Sequence, residues 1–294
     1  MASVNFPVHR MHAIAAGSAA ACVALNVAVH LCTPFLWSGY RGASYKTKLA
    51  WCNRIVSAVH ACVLMWNQWH TIFDPVMTAD PLHAVTDRHF VWSSVCYGYI
   101  IYDTLYEASR TLYEKAGNTS FLFHHAIGLA CCGVGLYLRR MAYFGAVIQV
   151  FFEATTPLMH ALGCMKTMGW DNSNAYAATG LLFAAMYFTC RVVISNYFGW
   201  VMLQAVLAEA APSAWDWGGV ALYTMLSALN ALWFVRICSM ILKGLRKRKA
   251  KKSGTLANNG TAQKQIDCDK TAQALATGYA IKGATDASQM RERK

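Results

Sequence analysis

The stretch FLFHHAIGLACCGVGLYLRRMAYFGAVIQVFFEATTPLMH, residues 121–160, decides how the chain is read. Two apolar runs meet at a short basic turn, Arg139–Arg140. The first run carries the adjacent histidines His124 and His125. The second carries Gln149, Glu153, Thr156 and His160, at intervals of four, three and four residues. On a helix that spacing puts all four on one face, among side chains that are otherwise apolar. A carboxylate and imidazoles inside apolar helices are costly. They normally face one another or a watered cavity, and by default mark a functional site. The remaining chain is expected to form a cage around them.

The composition agrees. The 294 residues are 56% hydrophobic and 14% charged, with a mean hydropathy of +0.29. A soluble domain carries on the order of a quarter of its residues as charges. The expected fold class is therefore all-α: a polytopic transmembrane helix bundle with a basic, disordered C-terminal tail. The net charge of +12 does not indicate a nucleic-acid partner, because much of it lies in one run and at helix ends, where membrane topology accounts for it. The eleven cysteines show no C-x-x-C or zinc spacing, so no metal site is expected.

Seven spans follow, at 11–37, 49–69, 89–108, 121–138, 142–165, about 174–203, and 219–242. A span needs about 20 apolar residues. Arg10 before the first run raises a cleaved signal peptide, but the run is long for one, and a retained span is preferred. The second span has a polar set, Asn53, Ser57, His60 and Asn67, again on one face. Asp103 lies near the end of the third. Pro157 bends the fifth, since it lacks an amide hydrogen. The sixth contains Arg191, and the seventh Asn230 and Arg236. The domain division is 1–45 (first span and basic loop), 46–245 (membrane domain) and 246–294 (tail). The basic run from Lys243 to Lys252 places the C-terminus in the cytoplasm, with the 38–48 loop on the same side and the acidic 70–88 and 208–218 loops opposite. Only Arg139–Arg140 violates the bias. Asn118 begins a glycosylation sequon, in a loop assigned to the cytoplasm.

His124 and His125 point about 100° apart on a helix, so one is expected to face the cavity squarely and the other to bond a neighbouring helix. Either imidazole is a competent general base near neutral pH, or a nucleophile. Glu153 orients that imidazole or balances its charge. Arg191 pairs with Glu153 or Asp103, or holds an anionic head group. The candidate catalytic set is His124, His125 and Glu153. The candidate binding set is Asp103, Gln149, Arg191, His60 and Asn53.

Five segments, WCNRIVSAVHA (51–61), GYIIYD (98–103), FLFHHAIGL (121–129), FFEATTPLMH (151–160) and LNALWFVRI (229–237), in this order and spacing, resemble the TLC domain family over about residues 46–245. Its members include the ceramide synthases. In those enzymes a His–Asp and a second Asp follow the His pair; here the corresponding positions are Phe151–Phe152 and Thr155. The chain resembles instead the smaller TLC-domain-containing branch, with Glu153, Thr155 and Pro157 on that helix. The resemblance implies a role in sphingolipid or phospholipid homeostasis, membrane lipids as partners, and an endoplasmic reticulum location. Two alternatives stand beside it. One is an N-acyltransferase making ceramide-like lipids, with acyl-CoA as co-substrate and no other cofactor. The other is a transporter or channel, although the chain lacks the inverted repeats and broken-helix pairs of transporters.

Overall fold

The computed structural model of the chain describes residues 6–114 and 119–252. The Asn118 sequon and the tail beyond Lys252 lie outside the described residues. Where described, the chain is helical. It runs through α1 (Val8–Leu36), α2 (Gly39–Gly42), α3 (Tyr45–Ile72), α4 (Pro75–Ala79), α5 (Asp87–Glu114), α6 (Thr119–Tyr137), α7 (Ala142–Glu153), α8 (Thr156–Thr167), α9 (Asn174–Tyr187), a π-helical turn (Phe188–Ile194), α10 (Ser195–Ala208) and α11 (Ala214–Lys252).

Local chemistry sets the boundaries. The Ser44 hydroxyl accepts the Thr47 amide at 3.3 Å. The Asp74 carboxylate accepts the Val76 amide at 2.9 Å, with Pro75 opening the helix. The Ser173 hydroxyl accepts the Tyr176 amide at 3.0 Å. Each satisfies an amide that the first helical turn leaves free. The α6–α7 hairpin turns through Arg139 and Met141, both left-handed, with φ of 53° and 56°.

Among the described residues, five helical rods are long and apolar enough to cross a membrane: α1, α3, α6, the continuous α9–α10 rod (174–208), and α11 as far as Arg246. The chain is an integral membrane helix bundle. With α5 and the α7–α8 rod the passes reach the seven expected. These two differ from the others for physical reasons. α5 carries buried polar side chains along its length, among them His89, Ser93, Ser94 and Asp103, and the pair Glu107–Arg110, closed at 3.0 Å, in its last turns. It runs past residue 108 to Glu114. The α7–α8 rod is broken at Ala154–Thr155, as Pro157 demands. Its two halves, of 12 residues each, are separately too short to span. At the other end of the chain, α11 continues through the basic run to Lys252.

The connections after α4, α6 and α10 meet at one end of the bundle, as alternating passes require. There the Met141 amide donates to Leu82 O at 2.7 Å, and Arg140 reaches Asp216. α1 packs chiefly along α5. The crossing is so close that a Cβ on Gly98 would collide with the carbonyl of Ala15. Just beside it, the Ser18 hydroxyl donates to Val95 O at 2.7 Å.

Candidate functional site

Helices α5, α6, α7, α8, α9 and α11, with the π-helical turn, enclose a cavity of about 1010 Å³. That is near the top of the usual range for ligand pockets, roughly 300–1,000 Å³. Gln149, Glu153, Thr156 and His160 all line it, so the four-residue face holds across the break in the fifth pass. His124 and His125 line it together. The expectation that only one would do so is corrected. The cavity is broad enough to wrap around α6 and meet two adjacent side chains.

The two imidazoles have different surroundings. His125 Nδ1 lies 3.1 Å from the Thr104 hydroxyl, and its Nε2 lies 3.4 Å from Asp103 Oδ2. Thr104 has one hydroxyl hydrogen, and it is spent on Ile100 O at 2.6 Å. The contact to Nδ1 therefore requires His125 Nδ1–H as donor, with Thr104 accepting. Nε2 then faces the carboxyl group with a single proton between them. Either imidazolium meets carboxylate, or imidazole meets carboxylic acid. Asp103 is held from behind by the Asn53 side-chain amide, which donates at 2.8 Å, and by the Tyr99 hydroxyl at 3.3 Å. The His124 ring packs tilted against Trp233, with 5.2 Å between ring centroids, and its Nδ1 is buried with no hydrogen-bond partner. Oε2 of Glu153 is likewise buried and unpartnered. Both atoms belong to residues lining the same cavity.

Arg191 sits on the π-helical turn, a distortion found often at functional sites. Its Nε donates to the Thr155 hydroxyl at 2.8 Å, its Nη2 to Phe152 O, and its Nη1 to Asn230 Oδ1 at 3.4 Å. The guanidinium also lies over the rings of Phe152 and Tyr187, at 5.0 and 5.3 Å. The expected direct ion pair with Glu153 or Asp103 does not form. The break ahead of Pro157 leaves the Phe152 carbonyl free, and the guanidinium takes it. Arg191 still lines the cavity.

The other candidates are placed differently. Gln149 lines the cavity at its far end and bonds away from the histidines: Gln68 Nε2 donates to its Oε1 at 2.6 Å, and its Nε2 donates to Ser93 Oγ at 3.2 Å. His60 and Asn53 are outside the lining. His60 stacks on Tyr99 at 3.8 Å between centroids; Asn53 supports Asp103. Residues that the sequence reading passed over are Thr104, Tyr99, Ser93 and Gln68. Gln68 was within reach. Extending the Asn53–Ser57–His60 face by its own period leads to Leu64 and Gln68, both fully buried. Asn67, chosen instead, is turned aside and bonds Val63 O at 2.7 Å.

The fold and the cavity define a polytopic membrane protein with ionisable groups held inside the helix bundle. Residues 50–239 match the TLC domain, and the chain belongs to the TLC domain family. It is 27% identical over 234 residues to TLC domain-containing protein 4-B of Xenopus laevis, covering 76% of this chain and 86% of that protein. It is 24% identical over 226 residues to TLC domain-containing protein 4 of Homo sapiens, covering 73% and 84%. With TLC domain-containing protein 2 of Danio rerio it shares 25% identity over 209 residues, covering 69% and 81%.

Proposed function

We propose that the cavity holds a membrane lipid and that the protein acts in lipid homeostasis, on sphingolipids or phospholipids. In this reading the protein resides in the endoplasmic reticulum membrane with its C-terminus in the cytoplasm. One observation carries it. Two polar atoms, His124 Nδ1 and Glu153 Oε2, are buried without partners in residues that line a large cavity with many apolar walls. A buried polar atom left unpaired costs about 1–3 kcal/mol. Rotation of the two side chains turns these atoms into the cavity their residues line, where a lipid with hydrogen-bonding groups near its chain satisfies both while its chain fills the apolar space. The test is native mass spectrometry of the full chain purified in nanodiscs. A lipid retained by the wild type and lost in Glu153→Ala is expected. A wild-type protein that retains no lipid overturns the reading.

The contact between His125 and Asp103 favours a second reading, acyl transfer. The downstream acids of the ceramide synthase motif are replaced here, but α5 brings a carboxyl group to the second histidine instead. In that reaction a long-chain amine attacks the carbonyl of an acyl-CoA. The C–N bond forms, the C–S bond breaks, and the amine proton passes through the histidine to the departing thiol. His124, whose Nδ1 has no partner, acts as base or acyl carrier; His125 takes that role only on leaving Asp103, and Glu153 balances the charge. Purified protein supplied with acyl-CoA and a sphingoid base is expected to form an amide under this reading. Absence of product in the wild type, matching His124→Ala and His125→Ala, removes it.

A further inference from the structure

One end of the cavity is built differently from the rest. On α11 the residues Arg236, Ser239, Met240, Lys243 and Arg246 all line it. Their spacings of three, one, three and three keep them on one side of the helix. Lys243 and Arg246 are exposed at the rim. Four permanent cations, Arg191, Arg236, Lys243 and Arg246, and two carboxyl groups, Asp103 and Glu153, belong to the described lining; Arg191 is held by Thr155, Phe152 and Asn230 and Arg236 has contacts of its own, so the exposed positive charge is that of Lys243 and Arg246. Asp103 is already engaged by Asn53, Tyr99 and His125. The cavity therefore carries its exposed positive charge at one mouth, and a cleft with low-dielectric walls focuses such a field.

Depth adds a second constraint. Trp233 packs against His124, and Lys243 is ten residues further along the same helix. At 1.5 Å per residue the rim lies about 15 Å from the level of the histidines. The walls between and beyond carry large apolar side chains, among them Phe121, Met159 and Phe183. A ligand filling this space has an anionic head at the rim and one extended chain leading inward past the imidazoles.

We infer that the rim formed by Lys243 and Arg246 is a phosphate site, and that the cavity selects a phosphate-bearing, single-chain amphiphile over a neutral one. Two sources share this chemistry, a lipid monophosphate and an acyl thioester on a phosphorylated carrier. They differ in depth: the thioester carbonyl of the second reaches the histidine level, whereas the ester carbonyl of the first stays close to the rim. The inference rests on the reading of the cavity as a lipid site and adds the charge of the occupant.

The experiment uses the full chain in nanodiscs of neutral phosphatidylcholine, with binding measured for 1-oleoyl lysophosphatidate, oleoyl-CoA and uncharged 1-oleoylglycerol. The wild type is compared with Lys243→Gln/Arg246→Gln and with the charge-keeping exchange Lys243→Arg/Arg246→Lys. The glutamine pair is expected to weaken the phosphate-bearing probes at least tenfold, leave 1-oleoylglycerol unchanged and reduce the salt dependence of binding. The charge-keeping pair is expected to bind as the wild type does. A tenfold loss seen only for oleoyl-CoA assigns the site to the carrier, and one seen only for lysophosphatidate assigns it to a lipid head group. Equal binding of all probes by wild type and glutamine pair overturns the phosphate site and leaves the lipid cavity standing. Failure of all three probes to bind the wild type overturns the lipid cavity itself.

Discussion

Arg140 grips Asp216 through two bonds of 2.7 Å, one from Nε and one from Nη2, and so ties the α6–α7 turn to the start of α11. Asp216 is fully buried and also accepts both the amide and the hydroxyl of Ser213. In the proposed orientation this relationship accounts for the one basic turn on the side opposite the basic run. Arg140 is neutralised inside the protein, and Arg139 lies over the Phe90 ring at 5.4 Å and donates to Phe6 O at 3.2 Å. Neither arginine is a freely solvated loop charge of the kind that sets orientation. Arg140→Met leaves a buried carboxylate without its cation, and removing one partner of such a pair costs about 3–5 kcal/mol. Thermal unfolding in detergent is expected to show that loss. Arg140→Met/Asp216→Leu is expected to recover a large part of it, because the buried charge is gone.

The crossing of α1 over α5 yields a contrast between two glycines. At Gly98 an added methyl group runs into the backbone of Ala15, which has no rotamer to escape into. At Gly17, on α1 itself, the same methyl group meets nothing within 4 Å. Gly98→Ala is therefore expected to destabilise by about 1–3 kcal/mol, the usual cost of overpacking. Gly17→Ala is expected to stabilise by up to about 1 kcal/mol through helix propensity. Equal unfolding temperatures for the two variants would contradict the close crossing.

The tautomer of His125 is open to direct observation. With the Thr104 hydroxyl committed to Ile100 O, Nδ1 must carry a hydrogen. Nitrogen-15 spectra of histidine-labelled protein are expected to show His125 protonated at Nδ1. Thr104→Val removes the acceptor and strands that hydrogen in a buried site, at a cost of about 1–3 kcal/mol. In the variant the Nδ1 signal is expected to shift or split between tautomers. Val at this position keeps the side-chain volume, so the spectral change separates a positioning role from a packing one. A wild-type spectrum with bare Nδ1 sinks the assignment.

Much of this architecture was legible because apolar runs of spanning length, and the period of polar residues within them, survive any detail of packing. The Gln149–Glu153–Thr156–His160 face is the clearest case. Asp103 was visible as a buried acid, but its partner was not: residues 103 and 125 lie on different helices, and no intra-helix period links them. Arg191 shows the opposite limit. Its presence in a span signalled a buried partner, and charge logic pointed to Glu153, to Asp103 or to an anionic head group. The partners are instead the neutral oxygens of Thr155, Phe152 and Asn230, one of them created by a helix break whose consequence emerges only when the π-helical turn is packed against it. Gln68 and Asn67 differ by one residue, or about 100° of helix, and only the repeat of the whole face separates them.

The break between α7 and α8 follows from Pro157. Pro157 has no amide hydrogen for the Glu153 carbonyl, so α7 ends at Glu153, and Thr155 turns its hydroxyl back to Phe152 O at 3.1 Å. The same carbonyl receives Arg191. Thr155 and Arg191 are thus positioned by a proline that touches neither side chain in the hydrogen-bond network. Pro157→Ala supplies the missing donor and allows α7 and α8 to join into one continuous helix. The Phe152 carbonyl is then drawn into the helical ladder, and the guanidinium loses an oxygen that faces it. Stability is expected to change by less than about 1 kcal/mol, since the gained helix bond offsets the lost one. Lipid retention is expected to fall several-fold, because Arg191, Thr155 and Glu153 all move at the cavity wall. Parallel measurement of unfolding temperature and co-purified lipid distinguishes the outcomes. A variant that keeps its lipid at the wild-type level shows that the break is tolerated by the site and not required by it.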